Sequence, residues 1–161
     1  PTEAAASNRV TMAKPATVPY AATQMVRDSC LCLHAQRAAR ALARRFDEAL
    51  RPLDLTNGQF SLLMALNRPQ PAAMSEVAIL LAMDRTTLTA ALKPLQRRGL
   101  VNVVVDDADR RSRRLSLTVA GRRLLVKALP IWQQEHAVLD RLLGGAKPDR
   151  LRTDLNALAR S

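Results

Sequence analysis

The stretch from Met74 to Thr118, MSEVAILLAMDRTTLTAALKPLQRRGLVNVVVDDADRRSRRLSLT, decides the fold of this chain. It indicates two short helices, a strand, a charged tip and a returning strand. Ser75 is placed to cap the first helix and Asp84 the second, with only a tight turn between them. This order predicts a winged helix-turn-helix. The apolar residues that we expect to cluster on one side of the first helix are Val77, Ala78, Leu80 and Leu81.

The second helix has one apolar side and one polar side. If Leu88 faces inward, then at 100° per residue Ala91, Leu92 and Leu95 share its side. The opposite side combines hydroxyls, a methyl and cations without any acidic residue, and such groups contact base edges and phosphates in a DNA major groove. An ordinary solvated basic helix is the alternative for this face taken by itself. The members of the face are Thr86, Ala90, Lys93 and Arg97, flanked by Arg85 and Thr89.

A basic hairpin follows this helix. Gly99 suits a helix end, the valines at 101, 103, 104 and 105 favour a strand, and the next strand lies around Leu115 and Leu117. Arginine suits the negative potential of a narrow minor groove, so we expect the arginines of the tip to bind there; a solvated charged hairpin is the alternative. We expect Asp109 to orient Arg111 or Arg113 as an internal partner. The arginines of the tip are Arg110, Arg111, Arg113 and Arg114.

Pro94 lies inside the predicted second helix, where it removes a backbone hydrogen bond to Ala90 and predicts a kink. We therefore expect bases to be contacted by the turns before Pro94. Arg97 and Arg98 are expected nearer the DNA backbone.

Composition favours duplex DNA as the partner. The chain has 161 residues and 48% apolar content, enough for one domain with a core, but only 2% aromatic residues. Proteins that stack single-stranded bases need aromatic platforms. The net charge is +11, and between Asp84 and Arg123 ten Lys or Arg stand against four Asp, so the cations concentrate around the motif.

Several classes of protein are not expected. The chain shows no signal peptide and no apolar run of about 20 residues, which predicts a cytoplasmic protein without a membrane partner. Cys30 and Cys32, with His34 and the distant His136, do not match a metal-site spacing. No phosphate loop or catalytic constellation is recognisable, so we expect neither a cofactor nor an enzyme.

The flanks of the motif predict a homodimer. Residues 1–23 are rich in Ala, Pro, Thr and Ser and are interpreted as an arm, and residues 24–55 as a dimerisation helix without Gly or Pro from 24 to 50. The DNA-binding lobe is placed at 56–118, opening with a capping box from Thr56 to Gln59. Residues 119–161 are expected to form further dimerisation helices, the first capped by Thr118 and interrupted by Pro130. Pairing would bury their excess apolar surface and present two reading helices to half-sites roughly 34 to 36 Å apart on an inverted repeat.

Together these signals resemble the MarR family of bacterial transcriptional regulators, from about Val26 to Leu158. The resemblance lies in LTNGQFSLLMAL, in SEVAILLAMDRTTLTAALKPLQRRGLV and in DDADRRSRRLSLTVAGRRLL. It implies a mainly α fold with a small β-hairpin wing, and a homodimer that binds a palindromic operator, usually as a repressor released by a small aromatic or anionic ligand. The DNA contacts that it implies are Arg85, Thr86, Thr87, Thr89 and Lys93 in the major groove, Ser75 on the backbone, and Arg111 and Arg113 in the wing.

The resemblance also implies two alternative triggers. A ligand crevice would be lined by His34, Arg37, Phe60, Met64 and Trp132, although each of these residues also has a plain structural interpretation. Cys30 lies near the reactive thiol of the hydroperoxide-sensing branch, which makes a thiol-based oxidation sensor the second hypothesis; a structural cysteine is the competing interpretation. A basic RNA-binding scaffold protein is the hypothesis from another class.

Overall fold

The computed structural model describes residues 17–106, 109–145 and 147–159. The described residues divide into two compact units, the first ending at Ala38 and the second beginning at Ala39. The first unit contains α1 (Tyr20–Ser29) and the beginning of α2 (Leu31–Leu50). Most of the predicted arm lies outside the described residues, but its last part does not: α1 begins at Tyr20, so the arm boundary expected at Thr23 is wrong.

The predicted uninterrupted helix from Gln24 to Leu50 is also wrong, because the helix breaks at Cys30. That residue has φ −74° and ψ 106°, an extended conformation, and its N–H donates to the Val26 carbonyl at 3.0 Å. Just before the break, the Ser29 hydroxyl donates to the Met25 carbonyl at 2.6 Å. A serine bonded to the carbonyl four residues earlier competes with the backbone and favours a bend. The apolar periodicity continues across such a break and does not reveal it.

The second unit is a winged helix-turn-helix, which confirms the predicted fold class. After α2 and a 3-10 turn at Arg51–Leu53 come the helices and strands of the motif and its flanks. The strands form one antiparallel sheet in the order β1–β3–β2, with Val101 opposite Leu117 and Ala72 opposite Leu115. The hairpin was predicted, but β1 was not, since two residues carry no recognisable alternation. The elements are α3 (Asn57–Ala65), β1 (Ala72–Ala73), α4 (Met74–Leu80), α5 (Arg85–Arg97), β2 (Val101–Val105), β3 (Arg113–Leu117), α6 (Val119–Leu143) and α7 (Lys147–Leu158).

Leucine supplies twelve of the eighteen buried apolar residues in the described part of this unit. Leu88, Leu92 and Leu95 of α5 are completely or almost completely buried, as the 100° spacing predicts, and they meet Leu62 and Leu63 of α3 in one cluster. Burial of a leucine stabilises a fold by about 1.5–3 kcal/mol, so this cluster fixes the orientation of α5. Its opposite face is thereby turned to solvent.

The expected inward position of Leu80 is wrong, since it is 66% exposed. Helix α4 ends at Leu80, and Leu81, four residues after the buried Val77, takes the inward position. Ala82 then adopts a left-handed conformation with φ +50° and turns the chain toward α5. Ile79, at 81% exposed, likewise points to solvent.

The predicted helix caps are confirmed with one exception. Thr56 and Gln59 form a capping box, and the Thr118 hydroxyl accepts the Gly121 N–H at 3.0 Å. The exception is Ser75: the residue before α4 is Ala73, so the helix leaves β1 directly and Ser75 lies within its first turn.

Helix α6 is not interrupted at Pro130, contrary to our expectation. A proline leaves the carbonyl four residues earlier without its helical bond. Here that residue is Val126, which is 74% exposed, so water can satisfy the carbonyl. The helix ends instead at Gly144, with φ +68°, as the sequence predicts. Helix α5 likewise continues past Pro94 to Arg97.

Candidate nucleic-acid interface

Helix α5 begins at a strong aspartate cap. The Asp84 carboxylate accepts the Thr87 N–H at 2.8 Å and the Thr87 hydroxyl at 2.6 Å. The hydrogen bond from the Thr87 side chain, followed by that from its N–H, lowers the pKa of Asp84. The cap holds the first turn in place. It also engages the hydroxyl of Thr87, which was predicted to contact bases.

The exposed face of α5 carries the residues predicted to read DNA. Thr86, Ala90, Lys93 and Arg97 are all exposed, so the burial pattern agrees with the face assigned from the sequence. Within the described residues, neither Lys93 nor Arg97 has an acidic partner. Their charges are therefore not neutralised inside that part of the molecule and are available to an external anion.

Helix α5 and the wing are joined by Arg85. Its Nη2 atom donates to the Arg111 carbonyl at 3.4 Å, a long bond across 26 residues of sequence. Ser75, Arg85, Arg111 and Arg113 line one groove of about 420 Å³ between α4, α5 and the hairpin. The structure thus brings together four predicted contacts from three elements of the motif.

The described part of the wing tip is organised by Asp109. Its Oδ1 atom accepts the Arg111 N–H at 2.9 Å, and its carbonyl accepts the Ser112 N–H at 2.8 Å. Asp109 therefore contacts Arg111 as predicted, but through the backbone rather than the guanidinium. The Arg113 guanidinium donates to the carbonyls of Arg110 and Ser112, each at 3.1 Å, and is half-buried. Arg110 and Arg111 are exposed.

Sequence reasoning missed the ion pair at the base of the wing. Arg114 Nε lies 2.6 Å from Asp106 Oδ2, and the Asp106 side chain is only 13% exposed. Asp106 directly follows β2, and Arg114 lies near the start of β3 opposite Val104. An antiparallel alignment of the two predicted strands brings the start of one beside the end of the other, and it could have indicated this ion pair.

Arg98, which was expected near the DNA backbone, has partners within the protein. Its guanidinium donates to the backbone carbonyls of Asp54 and, at 3.4 Å, Leu53. Asp54 ends the 3-10 turn in a left-handed conformation with φ +52°, which leaves these carbonyls open to a donor. Arg98 thus connects the end of α5 to the turn after α2, so its guanidinium is engaged within the protein.

Three of the predicted ligand-binding residues share a pocket. Phe60, Met64 and Trp132 line a mainly apolar cavity of about 370 Å³, and the rings of Phe60 and Trp132 are 6.3 Å apart. His34 and Arg37 belong to the first unit, where both are exposed. The remaining lining residues are Ser61, Ala65, Leu80, Leu81 and Leu129.

A histidine that the sequence did not single out lies beside this pocket. The His136 ring is 4.1 Å from that of Trp132 and 5.1 Å from that of Phe46. Burial lowers the pKa of His136, with a smaller raising effect from Asp140 and a lowering effect from Arg152. Phe46 and His136 are 90 residues apart in the sequence, so no local pattern of residues indicated this cluster.

Cys30, the predicted redox candidate, is half-buried at the break between α1 and α2. Its Sγ atom accepts the Leu33 N–H at 3.4 Å, and its carbonyl lies 2.9 Å from Nδ1 of His34. Cys32 is exposed and accepts a hydrogen bond from the Gln36 amide at 3.2 Å. Both thiols are free.

Among the described residues, no group of three or more His, Cys, Asp or Glu is arranged to hold a metal ion. None of the described helices is long and apolar enough to cross a membrane.

Comparison with known proteins identifies a family. A sequence model described as MarR family matches residues 55–112. The crystal structure of the M. tuberculosis transcriptional regulator MosR in complex with DNA is 39% identical, covers 82% of this chain and 95% of that chain, and superposes with a TM-score of 0.74. The structure of Bordetella bronchiseptica BpsR, described as regulated in its DNA binding by 6-hydroxynicotinic acid, is 25% identical, with coverage of 83% and 95% and a TM-score of 0.74.

A curated relative is the transcriptional activatory protein BadR of Rhodopseudomonas palustris. It is 34% identical over 91 residues, which are 55% of this chain and 52% of BadR. The chain spans about half the length of the first curated relatives it matches. MosR and BadR are named as regulators of transcription, and BpsR is described by the regulation of its DNA binding.

Proposed function

The chain belongs to the MarR family, and from this premise we propose that it is a regulator of transcription that binds duplex DNA. The proposal rests on one observation: two basic elements, α5 and the wing, are exposed and connected to each other. The exposed face of α5 holds Lys93 and Arg97 without an acidic partner in the described residues. Arg85 connects that helix to the wing at the Arg111 carbonyl.

The chemistry of these two elements fits a double helix. Cations that neutralise phosphates release condensed counterions, which supplies most of the non-specific affinity and makes binding fall with salt. The buried leucines of α5 hold its polar face outward, so a helix and a hairpin approach one duplex from adjacent positions. We propose that Thr86, Thr89 and Lys93 lie in the major groove and that Arg110 and Arg111 approach the minor groove.

The test is a fluorescence-anisotropy titration with random-sequence and selected duplexes, with a structured RNA of equal length as the competing partner. Lys93→Ala should weaken duplex binding and reduce the slope of log affinity against log salt by about one if Lys93 contacts a phosphate. Lys147→Ala, which removes an exposed lysine from α7, is the matched control and should leave both quantities unchanged. Tighter binding to the RNA than to any duplex would favour the RNA-binding scaffold and overturn the proposal.

We further propose that the protein is a homodimer on a palindromic operator. Leu151, Leu155 and Leu158 recur on one face of α7 and are 43–52% exposed, and Leu142 at the end of α6 is 72% exposed. Apolar stripes of this kind are covered in an assembly by a second copy. Analytical ultracentrifugation at micromolar concentration should show a dimer, and Leu155→Asp should shift it toward a monomer. A wild-type protein that sediments as a monomer would contradict this part.

For the trigger, we propose that the operator is released when a small aromatic ligand occupies the pocket of Phe60, Met64 and Trp132 and that the usual effect of the free protein is repression. The support is an apolar cavity between α3 and α6 within the same unit as the DNA-binding helix. Benzoate and 6-hydroxynicotinate are suitable probes. Ligand should raise the Tm and weaken operator binding in the wild type but not in Met64→Trp, which fills the cavity; a ligand response that survives Met64→Trp would place the site elsewhere.

A separate observation supports a second trigger, oxidation of Cys30. The Leu33 N–H donates to Cys30 Sγ at 3.4 Å from the first turn of α2, and the thiol of this half-buried residue is free. We propose oxidation of Cys30 as the alternative signal. Peroxide should then abolish operator binding in the wild type and in Cys32→Ser but not in Cys30→Ser. Retained operator binding by the wild type, with Cys30 shown to be oxidised by mass spectrometry, would exclude it.

A further inference from the structure

Most hydroxyl protons near the start of α5 are already used inside the helix. The Thr87 hydroxyl donates to the Asp84 carboxylate at 2.6 Å, and the Thr89 hydroxyl donates to the Arg85 carbonyl at 2.7 Å. The Thr89 oxygen also lies 3.9 Å from the sulfur of Met74. A hydroxyl has only one proton to donate, so neither threonine offers a donor to a base unless its internal bond is broken.

Apolar groups remain at the centre of the exposed face. Ala90 lies four residues after Thr86 and three before Lys93, and helix geometry places these three positions on one face. Ala90 is exposed and ends in a methyl group. Thr89 is also exposed, and because its hydroxyl is bonded to the Arg85 carbonyl, its methyl is the group left to contact a base.

The cations of this face lie at its edges. Arg85 is partly engaged with the wing through the Arg111 carbonyl, and Lys93 and Arg97 follow Ala90 toward the end of the helix. A surface with methyl groups at its centre and cations at its ends is complementary to one feature of a major groove. That feature is the C5-methyl group of thymine, which apolar contacts from Ala and Thr methyl groups recognise.

We propose that Ala90 and the methyl of Thr89 are specificity-determining residues that read thymine by its methyl group. This inference rests on the proposed function, since it assumes that α5 enters a major groove. It assigns the class of base and the recognised atom: a T·A pair in each half-site, distinguished by an apolar contact rather than by a hydrogen bond.

The experiment compares thymine with deoxyuridine in a duplex selected by the protein from a random library. Deoxyuridine differs only by loss of the methyl and pairs as thymine does. One or two positions in each half-site should show about fourfold weaker binding per methyl removed, the effect expected for one buried carbon group. All other substitutions should leave the affinity unchanged.

Two variants of Thr89 provide a matched pair. Thr89→Ser keeps the hydroxyl that donates to Arg85 and removes only the methyl, so it should weaken binding to the thymine duplex and abolish the penalty at the deoxyuridine position that it contacts. Thr89→Val keeps the methyl and removes the hydroxyl, so it should retain that penalty. Ala90→Gly should abolish the penalty at a second position, with circular dichroism used to verify that α5 is still folded.

The outcomes separate this inference from the proposed function. A protein that binds no duplex contradicts the proposed function. A protein that binds a selected duplex with equal affinity whether thymine or deoxyuridine is present overturns the methyl-reading inference alone. A deoxyuridine penalty that persists unchanged in both Thr89→Ser and Ala90→Gly assigns the contact to other residues and also overturns it.

Discussion

Replacement of Gly121 by alanine should destabilise the protein at the junction of α5, the wing and α6. An ideal Cβ at Gly121 would lie 2.2 Å from the Leu100 carbonyl oxygen. Real Cβ atoms essentially never come closer than 3.0 Å to such a neighbour, so the overlap is 0.8 Å. It would also lie 3.3 Å from a methyl group of Leu117. The first of these neighbours is backbone, so a rotamer change cannot relieve the overlap.

Neither partner in this overlap is free to move. The Leu100 carbonyl accepts the Thr118 N–H at 3.1 Å, and the Gly121 N–H donates to the Thr118 hydroxyl at 3.0 Å. Overpacking a core costs typically 1–3 kcal/mol, and a backbone overlap that strains both bonds belongs at the upper end. A loss of about 3 kcal/mol lowers the Tm of a chain of this size by about 6–12 °C.

The assay is thermal unfolding followed by circular dichroism at fixed protein concentration, together with operator binding at 20 °C below the Tm. Gly58→Ala is the matched control, because nothing lies within 4 Å of its ideal Cβ and it is part of α3. The control should be neutral or stabilise by about 0.4–1 kcal/mol. A Gly121→Ala protein as stable as the wild type would refute the reasoning, because it would mean that α6 is not held against Leu100.

Three other predictions concern the wing, the cap of α6 and pH. Arg114→Ala leaves the Asp106 carboxylate, 13% exposed, without this ion pair, so amide hydrogen exchange in β2 and β3 should accelerate and operator affinity should fall. Thr118→Ala should lower the free energy of unfolding by about 1–2 kcal/mol in urea titrations, whereas Thr118→Ser, which keeps the hydroxyl, should lose much less. Burial lowers the pKa of His136 below 6.5, so the unfolded chain binds more protons just below that pH and stability should rise with pH across this window. His136→Gln should flatten that rise; an unchanged slope would show that another group titrates.

Local chemistry was sufficient for the helix-turn-helix and its wing. The Asp84 cap, the Thr56 capping box and the stop at Gly99 each involve residues within about four positions of one another, and such contacts are present in the sequence itself. The buried and exposed sides of α5 were predictable for the same reason, because the spacing of Leu88, Leu92 and Leu95 fixes one face and therefore the other.

Tertiary structure decided the features that depend on distant partners. Arg98 is directed to Asp54 across 44 residues, and Phe46 meets His136 across 90, so no local window contains either contact. The break at Cys30 lies beside a serine hydroxyl bonded to the carbonyl four residues earlier, a bond that favours a bend and that periodicity does not report. The sequence by itself thus determined which face of α5 is polar, because burial of leucine follows a period. Only the folded chain determined which polar atoms on that face are already bonded, because hydrogen bonds depend on three-dimensional proximity and not on composition.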